Sequence, residues 1–135
     1  MNSSTFGKAG EDAVERYLQK RGWRVVARNY ATNGGELDIA AFRRGVLAFV
    51  EVKTRSGESF GTPAEAVDAA KRARIKNAAA GFAYEQIQNG MLPVYSPLLK
   101  RQVKRRVKRR RFDVAEVFMT RDLEVLDIVM HENEF

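Results

Sequence analysis

Three residues of a 135-residue chain stand where the surrounding strand patterns would not put them. Val46-Leu47-Ala48-Phe49-Val50-Glu51-Val52-Lys53 is an apolar run of the kind that is buried in a sheet, yet it ends with Glu51 and Lys53. Side chains two apart in a strand share a face, so the carboxylate and the ammonium project together. Asp38 interrupts a second apolar run, Leu37-Asp38-Ile39-Ala40-Ala41, and Arg43-Arg44-Gly45 separates the two. A two-residue turn at Arg44-Gly45 pairs residue 43 with 46, and therefore 38 with 51. Opposed residues lie on one face, which brings both carboxylates beside Lys53. A three-residue loop without a compensating bulge would instead turn Asp38 to the other face.

Two directly opposed carboxylates repel each other and weaken the sheet that holds them. A divalent cation relieves that repulsion, and carboxylate oxygens with water suit Mg²⁺ or Mn²⁺. A lysine beside them can orient or help deprotonate an attacking water, while the cation offsets charge on a phosphate in the transition state. This is a toolkit for hydrolysing phosphodiesters. Glu11 can join it from the first helix, since it lies about 20° outside Leu18 at the edge of the apolar stripe, at 100° per residue. Blander readings stand beside these: a solvated strand face with a cross-strand ion pair for Glu51 and Lys53, and service to the helix macrodipole for Glu11. Lys71 reads as a phosphate contact or a snorkelling surface lysine, Arg55 as a phosphate contact or a solvated one, and Glu36 as a strand-start surface residue.

The elements that would position these groups follow from periodicity. Phe6, Ala9, Gly10, Ala13, Val14, Tyr17 and Leu18 fall on one helical face, and Gly22 is a suitable stop. Strands are expected over 23–29, 36–42 and 46–53. Thr62, Pro63 and Glu65 form a capping box that opens a second helix running to about Gln88, with alanines 66, 69, 70, 73 and 80 permitting close approach to a sheet. Residues 91–97 read as a loop, and Ser96-Pro97 opens a third, basic helix whose thin apolar stripe is Leu99, Val103 and Val107. Two β-rich runs, 112–118 and 123–129, close the chain. The reading is α/β: one domain over 1–135, a mixed sheet flanked by helices in the order αβββαβ with an extra C-terminal strand, and a basic insertion at about 91–111.

The formal charge of +7 is concentrated. Lys100, Arg101, Lys104, Arg105, Arg106, Lys108, Arg109, Arg110 and Arg111 put nine cations into twelve residues, and no acidic residue occurs between Glu85 and Asp113. A polyanion is the natural partner, and phosphate binding by Lys100, Arg101, Lys104, Arg105, Arg106, Lys108, Arg109 and Arg110 is the favoured reading. The alternatives are a loop that attracts any polyanion and a membrane-surface helix, for which the apolar stripe is too thin. With no cysteine and one histidine, disulfide scaffolds, thiol nucleophiles and multi-histidine metal sites are excluded. No apolar run reaches the ~20 residues of a membrane span, and Met-Asn-Ser-Ser-Thr lacks the order of a signal peptide, so no membrane association and a cytoplasmic location are expected.

Gly35-Glu36-Leu37-Asp38-Ile39-Ala40 with Phe49-Val50-Glu51-Val52-Lys53-Thr54-Arg55 resembles the PD-(D/E)xK restriction-endonuclease-like superfamily. More closely, the chain resembles the bacterial YraN-like family, related to archaeal Holliday-junction resolvases. The likeness extends to Gly7, Gly10-Glu11-x-Ala13, Arg28-Asn29, Phe60-Gly61, Lys71 and Arg111-Phe112-Asp113-Val114. It departs from the superfamily name at Leu37, which stands where a proline would, and residues 91–110 inherit no family role. The resemblance implies a restriction-endonuclease-like fold in which Asp38, Glu51 and the Val52 carbonyl are metal ligands, Lys53 is the catalytic lysine and Glu11 is the N-terminal acidic member. It also implies an Mg²⁺- or Mn²⁺-dependent endonuclease acting on branched or structured DNA, working as a homodimer. The rival expectation is a nucleic-acid-binding module that keeps the fold without the catalysis.

Overall fold

The computed structural model describes residues 3–32, 34–56 and 68–135. Helix α1 (Ser3–Lys20) leads into three antiparallel strands, β1 (Arg24–Thr32), β2 (Gly35–Arg43) and β3 (Val46–Ser56). Helix α2 (Ala69–Gln86) follows, then a hairpin of β4 (Met91–Ser96) and β5 (Arg101–Arg106), and last β6 (Arg109–Met119) and β7 (Val125–His131). The main sheet runs β1-β2-β3-β6-β7, with β6 parallel to β3 and the other neighbours antiparallel. The α/β architecture, with a mixed sheet flanked by helices, is the one expected from the sequence. Among the described residues no helix is long and apolar enough to cross a membrane.

Each sheet face has its own cover. On one, Ala13, Val14 and Leu18 of α1 pack against Ile39, Ala41, Ala48, Val50, Ala115, Val117 and Met119. Gly10 lies so close to Thr54 that a Cβ there would overlap it, so the glycine sets the approach of α1 to β3. The helix stops at Gly22, φ +86°, and the Trp23 N–H returns to the Leu18 carbonyl at 3.0 Å. On the other face, α2 and the hairpin cover Ala40, Phe42, Leu47, Phe49 and Val114.

Three expectations are corrected here. Helix α2 is capped by Asp68, whose side chain accepts from the Lys71 N–H at 2.8 Å; the Thr62, Pro63 and Glu65 box, Ala66 and Phe60-Gly61 lie outside the described residues. Ala69, Ala70, Ala73 and Ala80 are exposed, and Ala78, Ala79 and Ala83 face the sheet instead. Ile75 and Phe82 decide this, because their large side chains share the 75, 78, 79, 82 face and orient the helix by burying themselves. The third correction is the largest: residues 91–106 form a hairpin, not a loop and a basic helix. Leu92 and Val94 alternate inward into the core and Val103 pairs with Val94. The spacing of four between Val103 and Val107 fits a helical stripe and one strand face equally well, because four is an even number.

Candidate active site

The site is built by a turn. Arg44 and Gly45 take φ +49° and +84°, the left-handed pair of a type I′ hairpin, and Arg43 pairs with Val46 as expected. The register runs on to Ile39 opposite Val50, where the described ladder ends. One step further, the Asp38 carboxylate takes the Val52 N–H at 2.8 Å. Glu51 is buried at 6% exposure, unusual for a carboxylate, and Asp38 is half-buried. Burial pushes Asp38 up to about 7, and the charge of Glu51 adds to the rise against the pull of the Val52 N–H. The two carboxylates therefore face each other as the turn chemistry required.

Two lysines attend them. Lys71 Nζ reaches down from α2 to lie 2.7 Å from Glu51 Oε1. Burial works against its charge, yet the bond to Glu51 prevails and holds Lys71 above the ordinary lysine value. Lys53 is shifted the other way, first by burial and then by the positive charge of Lys71. One lysine is thus bound as a counter-ion, and its neighbour is made readier to release a proton.

Other expected members are placed differently. Glu11 receives Arg28 Nη2 at 3.1 Å, while Arg28 Nη1 bonds Asp12 at 2.7 Å and Glu15 at 3.0 Å. Glu11 still adds its charge to the field that raises Asp38. Arg55 lies on the sheet face of Glu51 and Lys53 but turns to Glu116, Nε to Oε2 at 3.0 Å. Lys100, Arg101, Lys104, Arg105, Arg106, Lys108, Arg109 and Arg110 are exposed, and none pairs with a carboxylate among the described residues. Arg111 leaves that group: it holds the buried Asp113 through Nε at 2.9 Å and Nη2 at 2.9 Å. Asp113 also accepts the Asn133 N–H at 2.8 Å, so this pair fastens the C-terminal residues to β6.

Sequence reasoning missed Glu116 and His131. Glu116 sits in register with Lys53 on the parallel neighbour β6, is 5% exposed, and binds His131 Nε2 at 2.7 Å through Oε1. Burial opposes its charge, but His131 and Arg55 together hold it below the ordinary glutamate value. The available signal was the acid itself, an ionisable residue inside the apolar run Phe112–Met119.

Among the described residues no three histidine, aspartate or glutamate side chains gather into a metal-binding group. The donors that do converge are Asp38 and Glu51, two hard oxygen ligands in mutual repulsion. The Lys71 ammonium already bound to Glu51 indicates that the position attracts positive charge. That chemistry fits a divalent cation.

An αβββαβ core with a parallel β3–β6 pair, and with Asp38 and Glu51-x-Lys53 on adjacent strands, defines a restriction-endonuclease-like α/β protein. The chain belongs to the uncharacterised protein family UPF0102, which matches residues 10–117 and is the YraN-like family of the motifs above. It is 36% identical over 127 residues to a UPF0102 protein of Dictyoglomus thermophilum, covering 94% of this chain and 93% of that one. A UPF0102 protein of Caldicellulosiruptor saccharolyticus is 35% identical over the whole of both chains. A UPF0102 protein of Solibacter usitatus reaches 53% identity over 78 residues, 56% of this chain and 59% of that one.

Proposed function

We propose that this protein is a metal-dependent endonuclease that hydrolyses DNA phosphodiester bonds, with branched or structured DNA as its substrate class. The observation that carries the reading is the convergence of Asp38, Glu51, Lys53 and Lys71 where β2 and β3 cease to pair. Asp38, Glu51 and the Val52 carbonyl would hold Mg²⁺ or Mn²⁺, with Glu11 lending negative charge from α1. Bound there, the cation offsets charge on the phosphate and makes water more acidic. Lys53 exchanges a proton with the attacking water, for which its reduced proton affinity suits it. Lys71 neutralises Glu51, and the exposed cations of the hairpin would hold neighbouring phosphates. Symmetric cutting of a branched substrate calls for two copies of the chain, so a homodimer belongs to this proposal.

The test is to incubate wild-type protein with labelled four-way junction, flap, single-stranded and linear duplex DNA in Mg²⁺, Mn²⁺ or EDTA. Cutting of at least one substrate, abolished by EDTA, is expected, with the junction or flap cut fastest. A second reading draws on the Lys71–Glu51 ion pair itself: an ammonium that permanently replaces the cation leaves a nucleic-acid-binding module without catalysis. That reading expects tight binding with no cleavage in any metal, unaffected by Glu51→Ala.

A further inference from the structure

At the far end of the sheet from the carboxylates, the β4–β5 hairpin leans over β1 and β2 and encloses a groove of about 310 Å³. Five arginines from separate places in the chain line it: Arg21 after α1, Arg24 of β1, Arg43 of β2, Arg44 of the turn and Arg105 of β5. No aspartate or glutamate is among its lining residues. None of the five makes an ion pair among the described residues, whereas Arg28, Arg55 and Arg111 are each bound to carboxylates. Among the described residues, Arg28, Arg55 and Arg111 are thus paired, while these five stand together without a carboxylate partner.

Gathering like charges costs free energy unless a polyanion neutralises them. Two of the arginines are also held in place before any ligand arrives. Arg43 Nη1 donates to the Arg21 carbonyl at 2.9 Å, and its guanidinium lies 4.9 Å from the Trp23 ring centre. Arg21 Nη1 donates to the Tyr17 carbonyl at 3.2 Å and stacks 3.4 Å above that ring. Anchoring of this kind lowers the entropy lost on binding. A guanidinium fork matches phosphate oxygens, and several arginines along one groove match a string of phosphates better than a single ion.

We infer that this groove is a subsite for the phosphate backbone of a nucleic acid. Four of its five arginines lie outside the basic run of the hairpin, so the groove is distinct from the general attraction of that run. From Val46, beside the groove, to Glu51 is five residues of β3, or about 17 Å at ~3.3 Å per residue. On a duplex, one strand advances about 3.4 Å per step. Backbone that runs from the groove along β3 would bring a phosphodiester some five steps away to the carboxylates. Only that spacing rests on the proposed nuclease; binding in the groove needs neither the cluster nor a metal.

The test measures anisotropy of a labelled 20-base-pair duplex with full-length protein in EDTA, from 50 to 200 mM KCl. One variant carries Arg24→Gln, Arg44→Asn and Arg105→Gln, all exposed residues with asparagine chosen for the positive φ at Arg44. The other carries Lys100→Gln, Lys104→Gln and Arg106→Gln, which removes equal charge from hairpin positions that do not line the groove. Each phosphate contact contributes about 0.9 to the slope of log K against log salt. The groove variant is expected to lose nearly 3 from the slope and to bind at least ten-fold more weakly than the hairpin variant at 100 mM KCl. Equal losses in the two variants, or an unchanged slope in the groove variant, overturn the inference. Arg44→Asn alone, expected to remove about 0.9, repeats the test should the triple variant unfold. Groove-dependent binding by a protein that cuts nothing in Mn²⁺ would refute the nuclease and leave the subsite standing.

Discussion

At Asp38 a carboxylate is held where its charge is costly, and the consequence is measurable without substrate. Burial and Glu51 push it up to about 7, while in the unfolded chain an aspartate ionises near 4. Between about pH 4 and 7 the folded protein therefore keeps a proton that the unfolded chain has lost. Stability in EDTA should fall as pH rises through that window, at up to about 1.4 kcal/mol per unit, and level off above it. Asp38→Asn should flatten the fall, as read by urea unfolding at pH 5, 6, 7 and 8; the same fall in the variant would place its cause elsewhere. Lys71 gives a second prediction at this scale. Its ammonium competes with any cation for Glu51, so Lys71→Met should bind Mn²⁺ several-fold more tightly by calorimetry. Unchanged or weaker binding would mean that Glu51 is not a metal ligand. Asp38, Glu51 and Lys53 were legible in the sequence because each breaks an apolar pattern, and the partners of Glu11 and Arg55 were not, since those ion pairs join distant elements.

Among the elements, the β2–β3 hairpin was readable because Arg-Gly turn chemistry dictates its register, and the register carries Asp38 to Glu51. The β4–β5 hairpin was not, because its apolar spacing serves helix and strand alike. Its strength comes from the inward side chains rather than from the cations that dominate its sequence. Leu92 is 1% exposed within the core under α2. Leu92→Ala should cost about 3 kcal/mol of unfolding free energy in urea titrations. A loss below about 1 kcal/mol would mean that the hairpin is only loosely attached. The deep seating of Leu92 also makes charge removal, rather than excision of the hairpin, the way to examine its binding.

Across the whole molecule, charge is divided by place. Setting aside the eight exposed cations of residues 100–110 together with Arg21, Arg24, Arg43 and Arg44 leaves 12 basic residues against 17 acidic ones. A single basic end therefore sits on a chain that is otherwise acidic, and it would steer a polyanion to one side of the sheet. The parallel β3–β6 pairing that sets Glu116 beside Lys53 joins strands more than fifty residues apart, a distance that no local pattern reveals. The layer order was legible because alternating strands and helices allow few arrangements. Catalysis by the proposed nuclease rests on Asp38, Glu51 and Lys53. The direct measurement is cleavage of a labelled four-way junction in Mn²⁺ by wild type, Asp38→Asn, Glu51→Gln and Lys53→Ala, each purified identically and shown to fold. Cutting by wild type and a loss of at least about 100-fold in every variant are expected, in line with the size of general acid–base contributions. Equal cutting by all four proteins, or none by wild type, would contradict the proposed nuclease.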